Sequence, residues 1–498
     1  MLELLRSIYE RLTAGGSTAE QAVQSGIWVT GINVGDRVLQ LLKVVILARL
    51  LSPAAFGLLG IALLAITALR QFSKLGFDEA LIQHEDEDVD EYLNTAWIMK
   101  TIRGAIIVII AFLAAPYLAV FFGEPQAESL IRTIGFSPLI LGLQNPAVMY
   151  FRKNLNFHRE FVYQVGGRLV DLVVAAAIAF VSGSVWALVA GIIAMNLVKL
   201  VISYGIHEYR PRIEFNLEYA KEMFGFGKWM LLSAILMFLY RQGDDAFVGW
   251  FFTASALGFY QIGYRFSNAP ATEVTQIISR VAFPAFSKVQ DDVDRLRAGY
   301  FRVVQLSTTV GFPMAAGIAA VTPQFVRVVL GNQWGPMIPL MQVLAVAGGL
   351  RVFAANSGAV FKAVGRPDLD VRLQAVKTAT IALAIFPAAE HFGVPGVAFV
   401  ILGSGIIMQP LLIYILLPLI EATVTELIRQ LIYPLLGSVL MFLFVTGIDK
   451  YIFAQTGLFE MTALIGAGVM SYTLIMLVTE RYTELEFLQL FRSIKQVI

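Results

Sequence analysis

MLLSAILMFLYRQGDDAFVGWFFTASALGFYQIGYRFSNAPA, residues Met230 to Ala271, is the stretch whose reading decides the fold. It has the length and apolarity of two membrane-crossing helices, yet both carry charge. The first helix is expected over Leu231 to Phe251, interrupted by Arg241-Gln242-Gly243-Asp244-Asp245, and the second from about Ala256 through Arg265 and Pro270. Ionised groups at lipid depth are costly unless they pair or face a wet cavity. Arg241 sits one helical turn from Asp244 and Asp245, so a neutralising pair is geometrically available. Two readings follow: a polar cavity for a charged substrate, or an intrahelical ion pair that only steadies packing.

Composition supports the membrane reading of the whole chain. Of 498 residues, 57% are hydrophobic and 15% charged, with a mean hydropathy of +0.72. A soluble domain carries about 25% charged residues. The net charge of +1 gives no basis for nucleic-acid binding. Cysteine is absent, which excludes disulfides, thiolate catalysis and cysteine-ligated metals. The four histidines, His84, His158, His207 and His391, lack metal-site spacing, and no phosphate-binding G-x-x-x-x-G-K-[ST] loop occurs, so no cofactor is expected. Residues 1–25 do not read as a cleavable signal, because the apolar run comes after them. Leu2, Leu5, Ile8 and Leu12, with Arg6 and Arg11 between them, suggest a short interfacial helix.

A span needs about 20 mostly apolar residues. Fourteen stretches qualify, at roughly 26–48, 53–73, 95–121, 128–150, 161–181, 184–207, 229–251, 256–279, 300–321, 336–361, 373–389, 394–418, 428–448 and 458–479. Lys and Arg concentrate in the even-numbered connections, for example Arg152, Lys153 and Arg159, or Arg210, Arg212, Lys221 and Lys228. The odd-numbered connections hold little beyond Arg49, Arg327 and Lys450. Both termini should therefore be cytoplasmic. The acidic run His84 to Glu91 falls in a cytoplasmic connection; it lacks the glycine and spacing of a calcium loop and reads as a solvated loop.

The chain also repeats itself. Gly26-Ile27-Trp28 recurs as Gly227-Lys228-Trp229, and Ala54-Ala55-Phe56-Gly57 as Ser255-Ala256-Leu257-Gly258. Asp88-Val89-Asp90 matches Asp292-Val293-Asp294, and Pro116 with Gly123 matches Pro323 with Gly331. Six spans separate the copies, an even number, so the halves share one orientation and a substrate site is expected between them. The expected organisation is all-α. It comprises an interfacial segment (1–25), two pseudo-symmetric six-helix lobes (26–208 and 229–420) joined by a cytoplasmic linker (209–228), an appended hairpin (421–480) and a cytoplasmic tail (481–498). Pro138, Pro146, Pro270, Pro313, Pro387 and Pro410 lie within spans and mark places where helices could bend.

An ordered set of motifs then points to a family. It comprises Ala80-Leu81-Ile82-Gln83, Arg152 through Phe157, Phe224-Gly225-Phe226-Gly227, Asp245-Ala246-Phe247-Val248-Gly249 and Leu257-Gly258-Phe259-Tyr260. Phe283-Pro284-Ala285-Phe286-Ser287, Leu330-Gly331-Asn332-Gln333-Trp334 and Gly365-Arg366-Pro367 complete it. Over about residues 20 to 420 the chain resembles the polysaccharide-transporter branch of the multidrug/oligosaccharidyl-lipid/polysaccharide exporter superfamily, which includes flippases of O-antigen and exopolysaccharide repeat units. The resemblance implies two lobes around a central cavity, alternating access, and a cytoplasmic-membrane transporter with no catalytic role. It also implies an oligosaccharide cargo on a polyprenyl phosphate or pyrophosphate. Membrane lipids, a coupling proton or sodium ion, and polysaccharide assembly proteins are the remaining expected partners.

In that family the first two helices of each lobe line the cavity. Here they offer the basic residues Arg37, Lys43, Arg70, Arg241 and Arg265 and the acidic residues Asp36, Asp244, Asp245 and Glu273. Across the remaining spans Lys100, Arg103, Arg168, Lys199, Arg302, Arg351 and Lys377 face only Asp171. That basic excess suits an anionic headgroup, because a guanidinium grips phosphate oxygens bidentately. Arg37 and Arg265 are expected to hold the carrier phosphate, and the Arg241, Asp244 and Asp245 cluster to contact sugar hydroxyls or a coupling ion. A cation-coupled multidrug exporter of the same superfamily would show acidic dominance in the cavity. A membrane-embedded glycan polymerase or ligase would need catalytic residues in a large external loop, whereas the longest external connection, about Thr322 to Gly335, holds no histidine or carboxylate.

Overall fold

The computed structural model describes residues 18–73, 90–153, 156–453 and 456–482, and among these every regular element is a helix. The expected interfacial helix over Leu2 to Leu12, the acidic run from His84 to Val89 and the tail 483–498 lie outside the described residues. The chain divides into two compact units, Met1–Gly258 and Phe259–Ile498.

The first unit opens with α1 (Thr18–Leu50) and α2 (Pro53–Phe72), then α3 (Asp90–Phe121) and the short α4 (Ala127–Ile134) and α5 (Phe136–Gly142). It continues with α6 (Phe157–Ser182), α7 (Trp186–Ile206) and α8 (Leu217–Phe251), and α9 (Ala254–Ser267) begins in it. α1 lies along α6, α6 pairs with α7, and α8 packs on α2 and α3. The second unit holds α10 (Thr275–Lys288), α11 (Val293–Phe325), α12 (Ile338–Ala355), α13 (Ser357–Ala363), α14 (Pro367–Phe392) and α15 (Val394–Leu419). It closes with the hairpin of α16 (Val424–Tyr451) and α17 (Leu458–Tyr482). Its core gathers around the fully buried Phe286, Tyr300, Phe361 and Leu416. The hairpin seats Met441, Val445, Leu464 and Met476 against Ala320 and Val321 of α11, and the Tyr472 hydroxyl donates to the Thr309 carbonyl at 2.9 Å.

Among the described residues, nine helices are long and apolar enough to cross a membrane. The protein is therefore a multi-pass, all-α membrane protein, while the count of fourteen spans is not established. Five of the expected windows fall short for visible reasons. Windows 26–48, 229–251 and 373–389 lie within α1, α8 and α14, helices that carry charge along their length. Window 128–150 breaks into α4, α5 and a 3₁₀ turn, Pro146–Met149. There Asn145 caps the turn by accepting the Ala147 N–H at 3.0 Å, and Pro146 has no N–H to continue a helix. Window 256–279 divides into α9, a π turn opened by Pro270 (Pro270–Val274) and the start of α10.

The charged stretch of α8 interrupts its apolar run but not its backbone, because the helix runs through Arg241 to Asp245 without a break. Gly243 costs a helix about 1 kcal/mol. Opening the backbone ladder at lipid depth costs about several kcal/mol for each unsatisfied group. The helix therefore continues and the polar side chains must find their own environment. α8 begins at Leu217, within the stretch 209–228 expected as a linker. Residues before it are strapped to α3: Asn94 Nδ2 donates to Glu214 Oε2 at 2.9 Å, and its Oδ1 accepts the Arg212 N–H at 2.8 Å. Nearby, Asn145 Nδ2 donates to the Tyr209 carbonyl at 2.7 Å.

Close helix crossings rest on glycine, as expected where apolar solvent supplies no driving force between helices. Within the first unit the openings of α2 and α9 cross backbone to backbone. A Cβ on Gly57 would overlap the Ala254 carbonyl, and one on Gly258 would overlap the Pro53 carbonyl. Pro53 and Ala254 each begin their helix, and Gly57 and Gly258 stand at the same later position in each. The contact is thus reciprocal between the two segments that the sequence repeat pairs. Ser52 fixes the entry to α2 by accepting the Ala55 N–H at 3.4 Å, with Pro53 in the first turn. Gly57→Val should lower stability by about 1–3 kcal/mol, measured by chemical unfolding in detergent. Gly403→Val, at a position with open space around it, should leave stability unchanged.

Candidate functional site

The seam between α1 and α6 changes character along its length. At one end it is aromatic: Trp28 meets Phe161 edge-on at 5.4 Å, and Gly31 and Gly35 leave room for Phe161 and Val165. One turn further it becomes ionic. Arg168 Nε donates to Asp36 Oδ1 at 2.7 Å, and Arg168 Nη1 lies 3.6 Å from Asp171 Oδ2. Lys43 Nζ donates to the other Asp171 oxygen at 2.5 Å. Contacts rise together along both helices, so α1 and α6 run parallel here. Asp171 is 1% exposed, and such a carboxylate persists only because cations satisfy it. Gly191 of α7 completes the enclosure, since a Cβ there would sit 2.6 Å from Asp171 Oδ1.

Two sequence-predicted residues, Asp36 and Lys43, are therefore brought together, by partners outside the expected cavity helices. Arg168 and Asp171 are those partners. Their signal was present in the sequence: Gln164, Arg168 and Asp171 stand at i, i+4 and i+7 and form one polar stripe along an otherwise apolar helix. Arg37, next to Asp36, is exposed. Arg70 is exposed in the last turn of α2, where its carbonyl accepts from Arg103 Nη2 and the Ser73 hydroxyl accepts from Arg103 Nε at 3.0 Å. In α8, Arg241 is exposed and Asp244 and Asp245 are half-buried.

In the second unit, Arg265 is exposed in the last turn of α9. Its neighbour Tyr264 accepts a hydrogen bond from Arg351 Nη1, and the Arg351 guanidinium lies 4.9 Å from the Tyr264 ring centroid. Glu273 falls in the π turn, and its side chain lies outside the described residues. Among the described residues no three His, Asp or Glu side chains are grouped to hold a metal ion. The predicted cations thus divide into Lys43, held by a buried carboxylate, and Arg37, Arg70, Arg241 and Arg265, which project from their helices.

This is a polytopic helical membrane protein with ionised groups built into its spans. Residues 46–339 match the family described as polysaccharide biosynthesis protein, and the chain belongs to that family. It is similar to the lipopolysaccharide biosynthesis protein WzxC of Escherichia coli (strain K12), 26% identical over 76% of this chain and 78% of that protein. It is likewise similar to the succinoglycan biosynthesis transport protein ExoT of Rhizobium meliloti (strain 1021), 26% identical over 68% of each chain. Among solved structures, the lipid II flippase MurJ in an inward closed conformation shares the fold. Its TM-score is 0.73 at 13% identity, covering 91% of this chain and 99% of that one.

Removing one partner of a buried pair leaves the other charge uncompensated. Asp171→Asn should therefore destabilise the protein by about 3–5 kcal/mol. The double variant Lys43→Met with Asp171→Leu should recover most of that loss, as read by thermal unfolding in detergent.

Proposed function

We propose that the protein is a flippase. It moves an oligosaccharide linked to a polyprenyl phosphate or pyrophosphate across the cytoplasmic membrane by alternating access, for surface polysaccharide assembly. The observation that carries this reading is the family match across residues 46–339, which takes in helices of both compact units. The names of the relatives support it: WzxC acts in lipopolysaccharide biosynthesis and ExoT is a transport protein of succinoglycan biosynthesis. Both termini lie on the cytoplasmic side in this reading, as the Lys and Arg distribution favours.

The projecting cations suit the headgroup. Arg37, Arg70, Arg241 and Arg265 contact the carrier phosphate, because a guanidinium can offer two parallel N–H donors to its oxygens. Asp244, Asp245 and Glu273 contact sugar hydroxyls or a coupling proton or sodium ion. Lys43 and Asp36 contribute chiefly by holding α1 against α6. Glycan assembly proteins are the natural recipients of the released cargo. A multidrug exporter of the same superfamily is the competing reading. The basic excess among the spans argues against it, since a cationic drug calls for carboxylates.

Arg265→Ala should reduce translocation of lipid-linked oligosaccharide by about tenfold, the scale of one charge-assisted contact, with the membrane level of the protein unchanged. Arg265→Lys should rescue only in part, because an ammonium lacks the planar fork. The measurement is the fraction of lipid-linked oligosaccharide accessible from outside the cell, and unchanged translocation in the alanine variant would remove Arg265 from the site.

A further inference from the structure

The polar stripe of α6 has a third member beyond the two carboxylate contacts. Lys199 of α7 donates from Nζ to Gln164 Oε1 at 2.7 Å, and the same ammonium lies 5.1 Å from the Tyr163 ring centroid. Both partners are neutral. Asp36, Asp171 and Arg168 lie within electrostatic range, but among the described residues no carboxylate comes within ion-pair distance of Lys199. Asp36 and Asp171 are already held by Arg168 and Lys43. The cluster thus sets three cations, Lys43, Arg168 and Lys199, against two carboxylates, and Lys199 carries the surplus charge.

Two further observations show that its place is built. Gly167 leaves a trough under the lysine stem: a Cβ there would meet Lys199 Cε at 2.6 Å and Cγ at 2.7 Å. Beside the same tyrosine, the Tyr163 hydroxyl donates to Gln144 Oε1 at 2.6 Å, while Gln144 Nε2 is buried and has no acceptor. An ammonium with only neutral partners and an amide N–H₂ with none therefore flank one aromatic ring. The position is half-buried, about 10 Å inside the C-terminal end of α7 at 1.5 Å rise per residue. At such depth a cation without a direct ion pair is costly, and intramembrane charge marks function unless it is paired. What both donors lack is an anionic oxygen acceptor.

We propose that Lys199, with Gln144 and the Tyr163 ring, forms a binding site for the phosphate group of a lipid. Building on the flippase reading, that lipid is the polyprenyl phosphate carrier. The site would receive the headgroup from the α7 side of the first unit, apart from the projecting arginines of α1 and α2.

The test uses the full-length protein in phosphatidylcholine nanodiscs, with lipid binding read by native mass spectrometry. The probes are a polyprenyl phosphate, the polyprenol of the same length and phosphatidylglycerol. Wild type should bind the polyprenyl phosphate more tightly than the polyprenol. Lys199→Gln should weaken the phosphate lipid about tenfold and leave the polyprenol unchanged, whereas Lys199→Arg should stay within about threefold of wild type. The unchanged polyprenol affinity and the arginine variant separate loss of charge from loss of fold. Equal polyprenyl phosphate binding by wild type and Lys199→Gln would overturn the site and leave the flippase reading standing. Lys199-dependent binding of phosphatidylglycerol without binding of polyprenyl phosphate would uphold the anion site and count against the carrier. A wild type that prefers neither anionic lipid over its neutral counterpart would overturn the site.

Discussion

A buried carboxylate at lipid depth persists only where cations satisfy it, and in the first unit Lys43 and Arg168 do this for Asp171. This one carboxylate is 1% exposed and receives Lys43 on one oxygen and Arg168 near the other. Arg168 in turn reaches Asp36, so α1 and α6 are tied at two levels by a chain of alternating charge. Apolar side chains cannot do this in a membrane, because lipid tails solvate leucine as well as a neighbouring helix does. Ionic contacts and glycine-mediated approach take over the role that hydrophobic burial has in water. Gly191 against Asp171 and the reciprocal Gly57 and Gly258 crossing belong to the same economy of close backbone contact.

The division of the cations follows from that constraint. Lys43 is buried because a carboxylate awaits it; Arg37, on the same helix, points elsewhere and is exposed. A transporter needs both kinds. The paired set ties α1 to α6, and the exposed set is the one proposed to meet the cargo. Arg351 and Tyr264 show a softer version in the second unit, where a guanidinium rests on a ring and its hydroxyl beside Arg265.

Much of the fold was legible in the sequence. Length and apolarity located the helices, and the repeat of Ala54-Ala55-Phe56-Gly57 in Ser255-Ala256-Leu257-Gly258 marked the two helix openings that cross. The family resemblance, read from ordered motifs, is borne out by the match over residues 46–339. The stretch 128–150 was misleading because apolarity does not reveal Asn145 and Pro146 ending a helix within it. The charged run of α8 stays helical, since polar side chains do not break a helix whose backbone has nowhere else to bond. In the site, spacing along a single helix could suggest the Gln164, Arg168 and Asp171 stripe. It could not reveal that Asp36 and Lys43 face that stripe, because the pairing spans more than a hundred residues.

The central claim is that this paired scaffold presents cations to an anionic, lipid-linked glycan and carries it across the bilayer. Purified protein reconstituted into liposomes with a polyprenyl-pyrophosphate-linked oligosaccharide tests it most directly. The readout is the rate at which the glycan loaded in the inner leaflet becomes accessible to an external membrane-impermeant glycosidase. The account predicts protein-dependent exposure of the lipid-linked glycan and none of a cationic amphiphile offered in its place. Exposure at the rate of protein-free liposomes, or selective movement of the cationic amphiphile, would contradict it.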